Sequence, residues 1–235
     1  MTAGPVYIAG MGVVSALGCG IDATIENLKS GACGLKPLDL FPLAAEHIRP
    51  AGAVVSMPEE GAFPRTHRLV RLAADQALSA CGQPPDAIVL GTTTGGMLST
   101  ESLFEQQVTN PLSYQRHALC SVGDALAHYC NCTGPVITIS TACSSGAVAV
   151  KMAMEMLRGG MARRILAGGA DSLCRLTYFG FNSLKLIDPL GARPFDRQRE
   201  GMSVAEGAAL LLLTTDASES LGLQVCGAGL SCDAH

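Results

Sequence analysis

The residue whose surroundings best fit a chemical role is Cys143. It follows the largely β-branched segment 136–142 and precedes the small residues Ser144, Ser145 and Gly146. A strand over 136–142 that turns directly into a helix over 144–158 would lift one side chain out at the end of a sheet, as a nucleophile elbow does. The N-terminus of such a helix stabilises a thiolate through its macrodipole and its free N–H groups.

A thiolate in that position is suited to accepting an acyl group. Its attack on a thioester forms one C–S bond, breaks another and expels a second thiolate, so the reactants and products are close in energy. We therefore predict that Cys143 is an acyl-accepting nucleophile. The alternative is a buried structural cysteine, a reading that leaves the small residues after it unexplained.

The other nine cysteines carry no comparable signal. No Cys-x-x-Cys pair occurs, and Cys130 and Cys132, with His128 nearby, form only a weak pattern for metal binding. We interpret most of the cysteines as small apolar core residues that stay reduced. The sequence predicts no bound metal and no cofactor.

The elements that would position Cys143 alternate between strands and helices. Apolar runs predict strands over residues 6–9, 87–91, 136–142, 164–168, 208–214 and 224–229. Helical spacing and capping residues predict helices over 21–30, 65–81, 97–107, 122–129 and 144–158. A glycine-rich turn is expected directly after residue 9. This alternation predicts an α/β fold, with a mixed sheet flanked by helices.

Charge and hydropathy exclude several classes of protein. The net charge of −4 leaves no basic footprint for nucleic acid. The apolar segments 6–17 and 205–213 are shorter than the roughly 20 residues of a membrane-spanning helix, and the first five residues hold no Lys or Arg of a secretory signal. We expect a cytoplasmic protein without nucleic-acid or membrane partners. Charged residues make up 15% of the chain, against about 25% in an average domain, which predicts a large buried interface.

Several segments together resemble the β-ketoacyl synthases, the condensing enzymes of fatty-acid and polyketide synthesis. The hexapeptide 141–146 is similar to their active-site motif, and the segment 193–208 resembles their RPFD…EGA signature. Further similar segments are 10–18, the glycine turn 91–96 and 168–172. The signature favours the elongating type of synthase, and the run 170–184 resembles synthases of aryl-polyene pathways.

The resemblance implies the N-terminal half of a thiolase-like fold. That fold packs two similar halves into alternating layers of helices and sheets, and residues 1–235 are expected to form one half-domain, with the second half absent. In the family, two histidines of the second half support condensation, and none of the five histidines here matches their motifs. Condensation by this chain alone is therefore not expected. His67 and His117 stand beside arginines and are expected to be solvated.

The resemblance also implies a dimer. In ketosynthases the strand before the cysteine pairs with its symmetry mate, so Val136, Ile137, Thr138, Ile139 and Ser140 are expected at an interface. Loops of one protomer also line the acyl pocket of the other. By position, the residues expected to do so here are Met97, Leu98, Ser113 and Tyr114.

Two functions are compatible with this pattern. The first is a half-length subunit that forms a heterodimer with a full-length ketosynthase, stabilising it and shaping its acyl pocket as chain-length factors do. An acyl carrier protein would then be an indirect partner. Chain-length factors usually replace the cysteine, whereas Cys143 is retained here. The alternative is an acyltransferase or condensing enzyme that uses Cys143, alone or as one half of a split synthase.

Overall fold

The computed structural model describes residues 4–43, 48–55, 57, 63–79 and 81–232. Its strands are β1 (Val6–Ser15), β2 (Gly18–Cys19), β3 (Lys36–Pro37), β4 (Pro50–Gly52), β5 (Ala87–Gly91), β6 (Val136–Ile139), β7 (Arg164–Asp171), β8 (Val204–Ala205), β9 (Gly207–Thr214) and β10 (Leu223–Val225). Its α-helices are α1 (Ile21–Lys29), α2 (Arg65–Leu78), α3 (Met97–Glu105), α4 (Cys120–Tyr129), α5 (Ser145–Arg158) and α6 (Arg175–Ser183). Single 3₁₀ turns lie at Pro111–Tyr114 and Ala217–Glu219.

A mixed seven-stranded sheet forms the centre of the structure. Its order is β10-β1-β9-β7-β5-β6, with β2 added to β1. The strands β5, β6 and β7 run parallel to one another, whereas β9 is antiparallel to both β7 and β1. The predicted α/β class with a mixed sheet is confirmed. Among the described strands, β6 pairs with β5 alone and forms one edge of the sheet.

Helices cover both faces of this sheet. On one face, α2 and α4 bury apolar stripes that include Leu69 and Leu126 against β5, β7 and β9. On the other face, α5 buries Ala149, Ala153 and Met156 against β5 and β7. The spacing of three and four residues on each helix matches the period of an amphipathic helix. This packing places the N-terminus of α5 beside the carboxyl ends of β5 and β7, where the parallel strands finish.

A smaller layer covers the end of the sheet near Cys143. Helix α6, which the sequence analysis did not predict, packs the buried ring of Tyr178 into a cluster with Leu38 and Phe41. The Tyr178 hydroxyl accepts a hydrogen bond of 2.7 Å from the Arg49 amide. A three-stranded sheet of β3, β4 and β8 lies alongside. A buried carboxylate, Glu206, ties this layer to the rest of the domain.

Glu206 is fully buried through its side chain and forms an ion pair with Arg65 at the start of α2. Its carboxylate also accepts hydrogen bonds from the amides of Val54, at 2.7 Å, and Leu173, at 3.2 Å. The Arg65 guanidinium donates to the Val54 carbonyl as well, at 2.8 Å. The ion pair between Glu206 and Arg65 therefore connects three segments that are distant in sequence, and hydrogen bonds to backbone groups compensate for its burial.

The prediction that the first strand ends at residue 9 is wrong, because β1 continues through the glycines to Ser15. Gly10 and Gly12 face α2 at very short range. A Cβ built on either residue would lie 1.9 Å from a carbonyl oxygen of α2, that of Ala77 or Ala73 respectively. The glycines thus allow the helix to approach the strand closely, and no turn forms there.

Other predicted boundaries also differ from the structure: the strand predicted over 164–168 continues to Asp171, and the helix predicted over 97–107 ends at Glu105. The helix predicted over 65–81 ends at Leu78, with residue 80 outside the described ranges, and the strand predicted over 224–229 is Leu223–Val225. The described part of the chain holds no helix that combines the length and apolar character needed to cross a membrane.

Candidate active site

Cys143 lies in a tight connection between β6 and α5, here called the elbow (residues 140–144). The predicted strand 136–142 ends three residues early, at Ile139, because the chain turns before the cysteine. Ala142 has φ of +53°, in the left-handed region that an alanine rarely adopts. Such a strained residue persists only where its surroundings fix it. The surrounding structure therefore fixes the conformation of the elbow, and Cys143 is exposed on it.

Two serine side chains hold the elbow closed. The Ser145 hydroxyl accepts a hydrogen bond from the Thr141 amide at 2.9 Å and donates to the Ala142 carbonyl at 2.6 Å. The Ser144 hydroxyl donates to the Thr141 carbonyl at 2.8 Å. Two backbone bonds add to them, from the Ser144 amide to the Thr141 carbonyl at 3.3 Å and from the Ser145 amide to the Ala142 carbonyl at 3.1 Å. The run of small residues around Cys143 is thus explained by the turn that it builds.

Three glycines allow α5 to begin directly against the sheet. A Cβ on Gly91, at the end of β5, would lie 2.4 Å from the Ser145 carbonyl carbon. A Cβ on Gly169, in β7, would lie 3.1 Å from the Gly146 Cα. Any side chain at Gly91 would push the helix, and with it the elbow, away from the strands. Close backbone packing therefore sets the height of Cys143 above the sheet.

Cys143 opens into a cavity of about 630 Å³, here called the Cys143 cavity. Apolar side chains form part of its wall, among them Leu173, Phe181, Met202 and Val204. The polar groups in the wall include Thr93, Thr94 and Asp171. A mostly apolar cavity of this size, with an exposed thiol at its edge, can accommodate a short acyl chain.

Asp171 is a site residue to which the sequence assigned no role, although it lies in the segment 168–172 that resembles the family. Its Oδ1 accepts hydrogen bonds from the amides of Thr93 and Thr94, at 2.8 and 2.7 Å, and from the hydroxyls of Thr92 and Thr94, at 2.9 and 2.8 Å. Asp171 ends β7 and the threonines follow β5, two parallel neighbours. A signal for this contact existed, since polar residues that end adjacent parallel strands meet at one edge of the sheet.

The residues predicted to line a partner's acyl pocket do not line the Cys143 cavity of their own chain. Leu98 and Ser113 face a separate cavity of about 520 Å³, and Met97 faces a third, between α3 and α6. Tyr114 donates a hydrogen bond from its hydroxyl to the Val108 carbonyl at 2.6 Å. Their predicted contact with a second protomer stays a prediction.

The interface strand predicted over 136–140 forms β6 from Val136 to Ile139, with Ser140 exposed in the elbow. All four strand residues are partly exposed, although they are apolar or β-branched. Ile137 and Ile139 pack toward α5, and Val136 packs toward the core under α4. The outer edge of this strand is uncovered in the described structure.

No histidine is among the described residues that line the Cys143 cavity. The prediction that His67 is solvated is wrong, because its side chain on α2 is buried, with 1% of its surface exposed. Its Nε2 lies 3.1 Å from the Ser121 hydroxyl. Burial, together with the charge of Arg116, lowers the pKa of His67 to about 4. His117 is exposed, and residues 47 and 235 lie outside the described ranges.

The prediction that most of the cysteines are core residues is wrong, because six of the ten are exposed and only Cys130 and Cys174 are buried. Cys130 is buried, and its burial, followed by the nearby charge of Asp75, raises the pKa of its thiol to about 11. Within the ranges that the structure describes, no three His, Cys, Asp or Glu side chains are placed to hold a metal ion.

A cysteine on a strained elbow, between a parallel strand and a helix packed on a mixed sheet, is the arrangement found in the N-terminal half of a thiolase-like fold. Residues 3–218 match the family model described as the N-terminal domain of β-ketoacyl synthase. The chain belongs to the β-ketoacyl synthase family, as the resemblance in its sequence indicated.

Curated relatives and solved structures agree with this assignment. The chain is 27% identical to the chloroplastic 3-oxoacyl-(acyl-carrier-protein) synthase I of Hordeum vulgare, over 98% of this chain and 58% of the relative. It is 28% identical to the tetracenomycin polyketide synthase ketoacyl synthase alpha subunit of Streptomyces glaucescens, over 88% of this chain and 57% of the relative. The chain thus spans just over half the length of these relatives.

Two structural relatives are complexes of a ketosynthase with a chain length factor. The ishigamide ketosynthase/chain length factor matches with a TM-score of 0.89 and 26% identity, over 99% of this chain and 65% of that chain. The ketosynthase ApeO in complex with its chain length factor ApeC, from Xenorhabdus doucetiae, matches with a TM-score of 0.78 and 28% identity, over 91% and 58%.

Proposed function

We propose that this protein is a ketosynthase-type subunit that pairs with a full-length β-ketoacyl synthase and shapes its acyl pocket, in the manner of a chain length factor. The setting would be a type II polyketide or fatty-acid pathway, in which the paired synthase receives its chains from an acyl carrier protein. The observation that carries the proposal is the open edge of β6 immediately before the Cys143 elbow. The chain length factor complexes among its structural relatives support the same function.

The open edge presents hydrogen-bonding groups to a partner. The carbonyl of Pro135 accepts a hydrogen bond from the Ile88 amide of β5, and that of Ile139 from the amide of Thr92, directly after β5, both at 3.0 Å. Because backbone groups alternate in direction along a strand, those of residues 136 and 138 point away from β5. A partner strand laid along β6 would satisfy them and extend the sheet across both proteins.

Pairing through β6 would also bring two acyl sites together. The elbow follows β6 directly, so a partner strand at this edge places its own elbow close by. The cavity lined by Leu98 and Ser113 and the groove at Met97 lie outside the Cys143 cavity of the same chain. In the paired state these residues would face the partner, where they would limit the length of its acyl chain.

Co-expression with full-length ketosynthases from the same genome tests the pairing. We expect one of them to co-elute with this chain in gel filtration as a one-to-one complex. Thr138→Pro removes an outward N–H from the edge of β6 and should abolish the complex, whereas Thr138→Val keeps that N–H and should preserve it. A chain that stays monomeric beside every synthase, or a complex that tolerates Thr138→Pro, would contradict the proposal.

A second function is favoured by the geometry of Cys143 itself. The thiol is exposed on a held elbow, at the edge of an apolar cavity. In this function the Cys143 Sγ attacks a carrier thioester, a new C–S bond forms and the carrier thiolate leaves. The chain would then be an acyltransferase or condensing subunit, alone or with a second polypeptide that supplies the remaining groups.

Mass spectrometry separates the two functions. The chain is incubated with hexanoyl-N-acetylcysteamine thioester, and the peptide that contains Cys143 is measured. A hexanoyl adduct at this residue that disappears in Cys143→Ala supports acyl transfer. Pairing with a synthase in the absence of any adduct supports the chain length factor function alone.

A further inference from the structure

We infer that Asp171 is a positioning residue for Cys143. Its carboxylate holds the threonine turn (residues 92–94) as a fixed wall of the Cys143 cavity, and this wall determines how a molecule with an alkyl chain reaches the thiol. This inference rests on the proposed role of Cys143 as an acyl acceptor. It gives a role to a residue that the sequence resemblance includes without a function and that the pairing function does not involve.

Four hydrogen bonds converge on one oxygen atom of Asp171. Asp171 Oδ1 lies 2.7–2.9 Å from two amide nitrogens and two hydroxyls of the threonine turn. Hydrogen bonds to an ionised acceptor are roughly twice as strong as those between neutral groups. An asparagine at this position would offer a weaker acceptor oxygen and would bring an N–H₂ group that has to find a partner of its own. The carboxylate therefore fixes the turn in a way that an isosteric amide does not.

The threonine turn contacts the elbow. The Thr93 hydroxyl lies 3.5 Å from the carbonyl of Ala142, the strained residue before the nucleophile. Thr93, Thr94 and Asp171 line the same cavity as Cys143. A shift of the turn would therefore change the wall beside the thiol without removing any group from the elbow.

The backbone amides of residues 93–95 in and after the threonine turn are all hydrogen-bonded. Those of Thr93 and Thr94 donate to Asp171, and that of Gly95 donates to the Thr92 hydroxyl at 3.3 Å. Amides at the end of a strand are frequent ligands for anionic oxygens. Here they are already committed, so the threonine turn offers a reacting carbonyl a wall to pack against and no free amide of residues 93–95.

The experiment compares two alkylating reagents at Cys143. Iodoacetamide is small, whereas N-hexyl iodoacetamide carries a chain that has to fit the cavity before the same C–S bond forms. Rates are read from the Cys143 peptide by mass spectrometry, and the chain preference is the N-hexyl rate divided by the iodoacetamide rate. A misplacement of about 1 Å at a reacting centre can cost about 100-fold, so we expect Asp171→Asn to lower the chain preference by roughly tenfold or more.

Two further variants keep the test decisive. Thr92→Val removes one of the four hydrogen bonds to Asp171, together with the acceptor of the Gly95 amide. It should lower the chain preference in the same direction by less, which covers the case in which Asp171→Asn does not fold. Glu101→Gln changes a carboxylate that binds the amides at the start of α6, outside the Cys143 cavity, and should leave the preference unchanged. A preference in both Asp171→Asn and Thr92→Val within twofold of the unaltered protein, or equal losses of both rates, would overturn the inference.

The same samples separate this inference from the proposed function. If the unaltered protein is alkylated at Cys143 but takes no hexanoyl group from the thioester, the acyl-acceptor function fails. The role of Asp171 is then still decided by the ratio of the two alkylation rates.

Discussion

The buried imidazole of His67 predicts a specific dependence of stability on pH. The side chain is 1% exposed and Nε2 has a neutral partner, the Ser121 hydroxyl. Burial, and secondly the charge of Arg116, lowers its pKa from 6.5 to about 4. The folded protein therefore holds His67 neutral over a pH range in which the unfolded chain takes up a proton.

The sign and size of the effect follow from this difference. Between pH 6.5 and 4 the unfolded state binds more protons at His67, so the free energy of unfolding falls as the pH falls. The stability is fully present above pH 6.5 and is lost on the way to pH 4. A difference of about 2.5 pH units, at 1.36 kcal/mol per unit, corresponds to about 3 kcal/mol.

Urea unfolding followed by circular dichroism, at several pH values from 7.5 to 4, measures this loss. Carboxylates titrate in the same range, so the informative quantity is the difference in unfolding free energy between the unaltered protein and His67→Gln. That difference should shrink by about 3 kcal/mol between pH 7.5 and 4. His128→Gln, on the exposed face of α4, is the control and should retain the full dependence. A difference for His67→Gln that stays constant with pH would refute the reasoning.

Two substitutions test the packing around the site. Gly91→Ala places a methyl group 2.4 Å from the backbone at the start of α5 and should lower the free energy of unfolding by about 3 kcal/mol. The control is Gly180→Ala on α6, where no atom lies within 4 Å, and it should leave the free energy of unfolding unchanged or raise it by up to about 1 kcal/mol. Equal effects of the two variants in urea unfolding would disprove the packing argument. Glu206→Gln leaves the Arg65 guanidinium without its charge partner at a site where 15% of that side chain is exposed, so we expect a loss of about 3 kcal/mol; a melting temperature identical to that of the unaltered protein would show that the pair is not needed.

Local sequence signals were sufficient for most of the elements near Cys143. The β-branched run, the small residues after it and the periodicity of 145–158 predicted a strand, a turn and a helix in the right order. They did not place the end of β6, because the turn depends on hydrogen bonds of Ser145 that only the folded backbone brings within reach.

The errors share one physical cause, which is tertiary packing. Gly10 and Gly12 carry the composition of a turn, yet they lie in a strand because the carbonyls of α2 approach them closely. His67 stands next to Arg68 in sequence, but it lies three residues before Val70 and seven before Ala74, on the buried face of α2. That spacing was a usable signal for burial, and the neighbouring arginine was a misleading one.

The open edge of β6 has a consequence for how the protein must be made. Residues 136–140 contain no charge and no proline, and they are mostly β-branched. Natural edge strands usually carry a charged residue or a proline, which protects the edge against sheet extension by the wrong chain. Unless a partner strand covers it, as in the proposed pairing, this edge is a template for aggregation. Under the proposed pairing, the chain produced by itself should stay soluble only at low concentration, and co-expression with the synthase that it pairs with should raise its soluble yield.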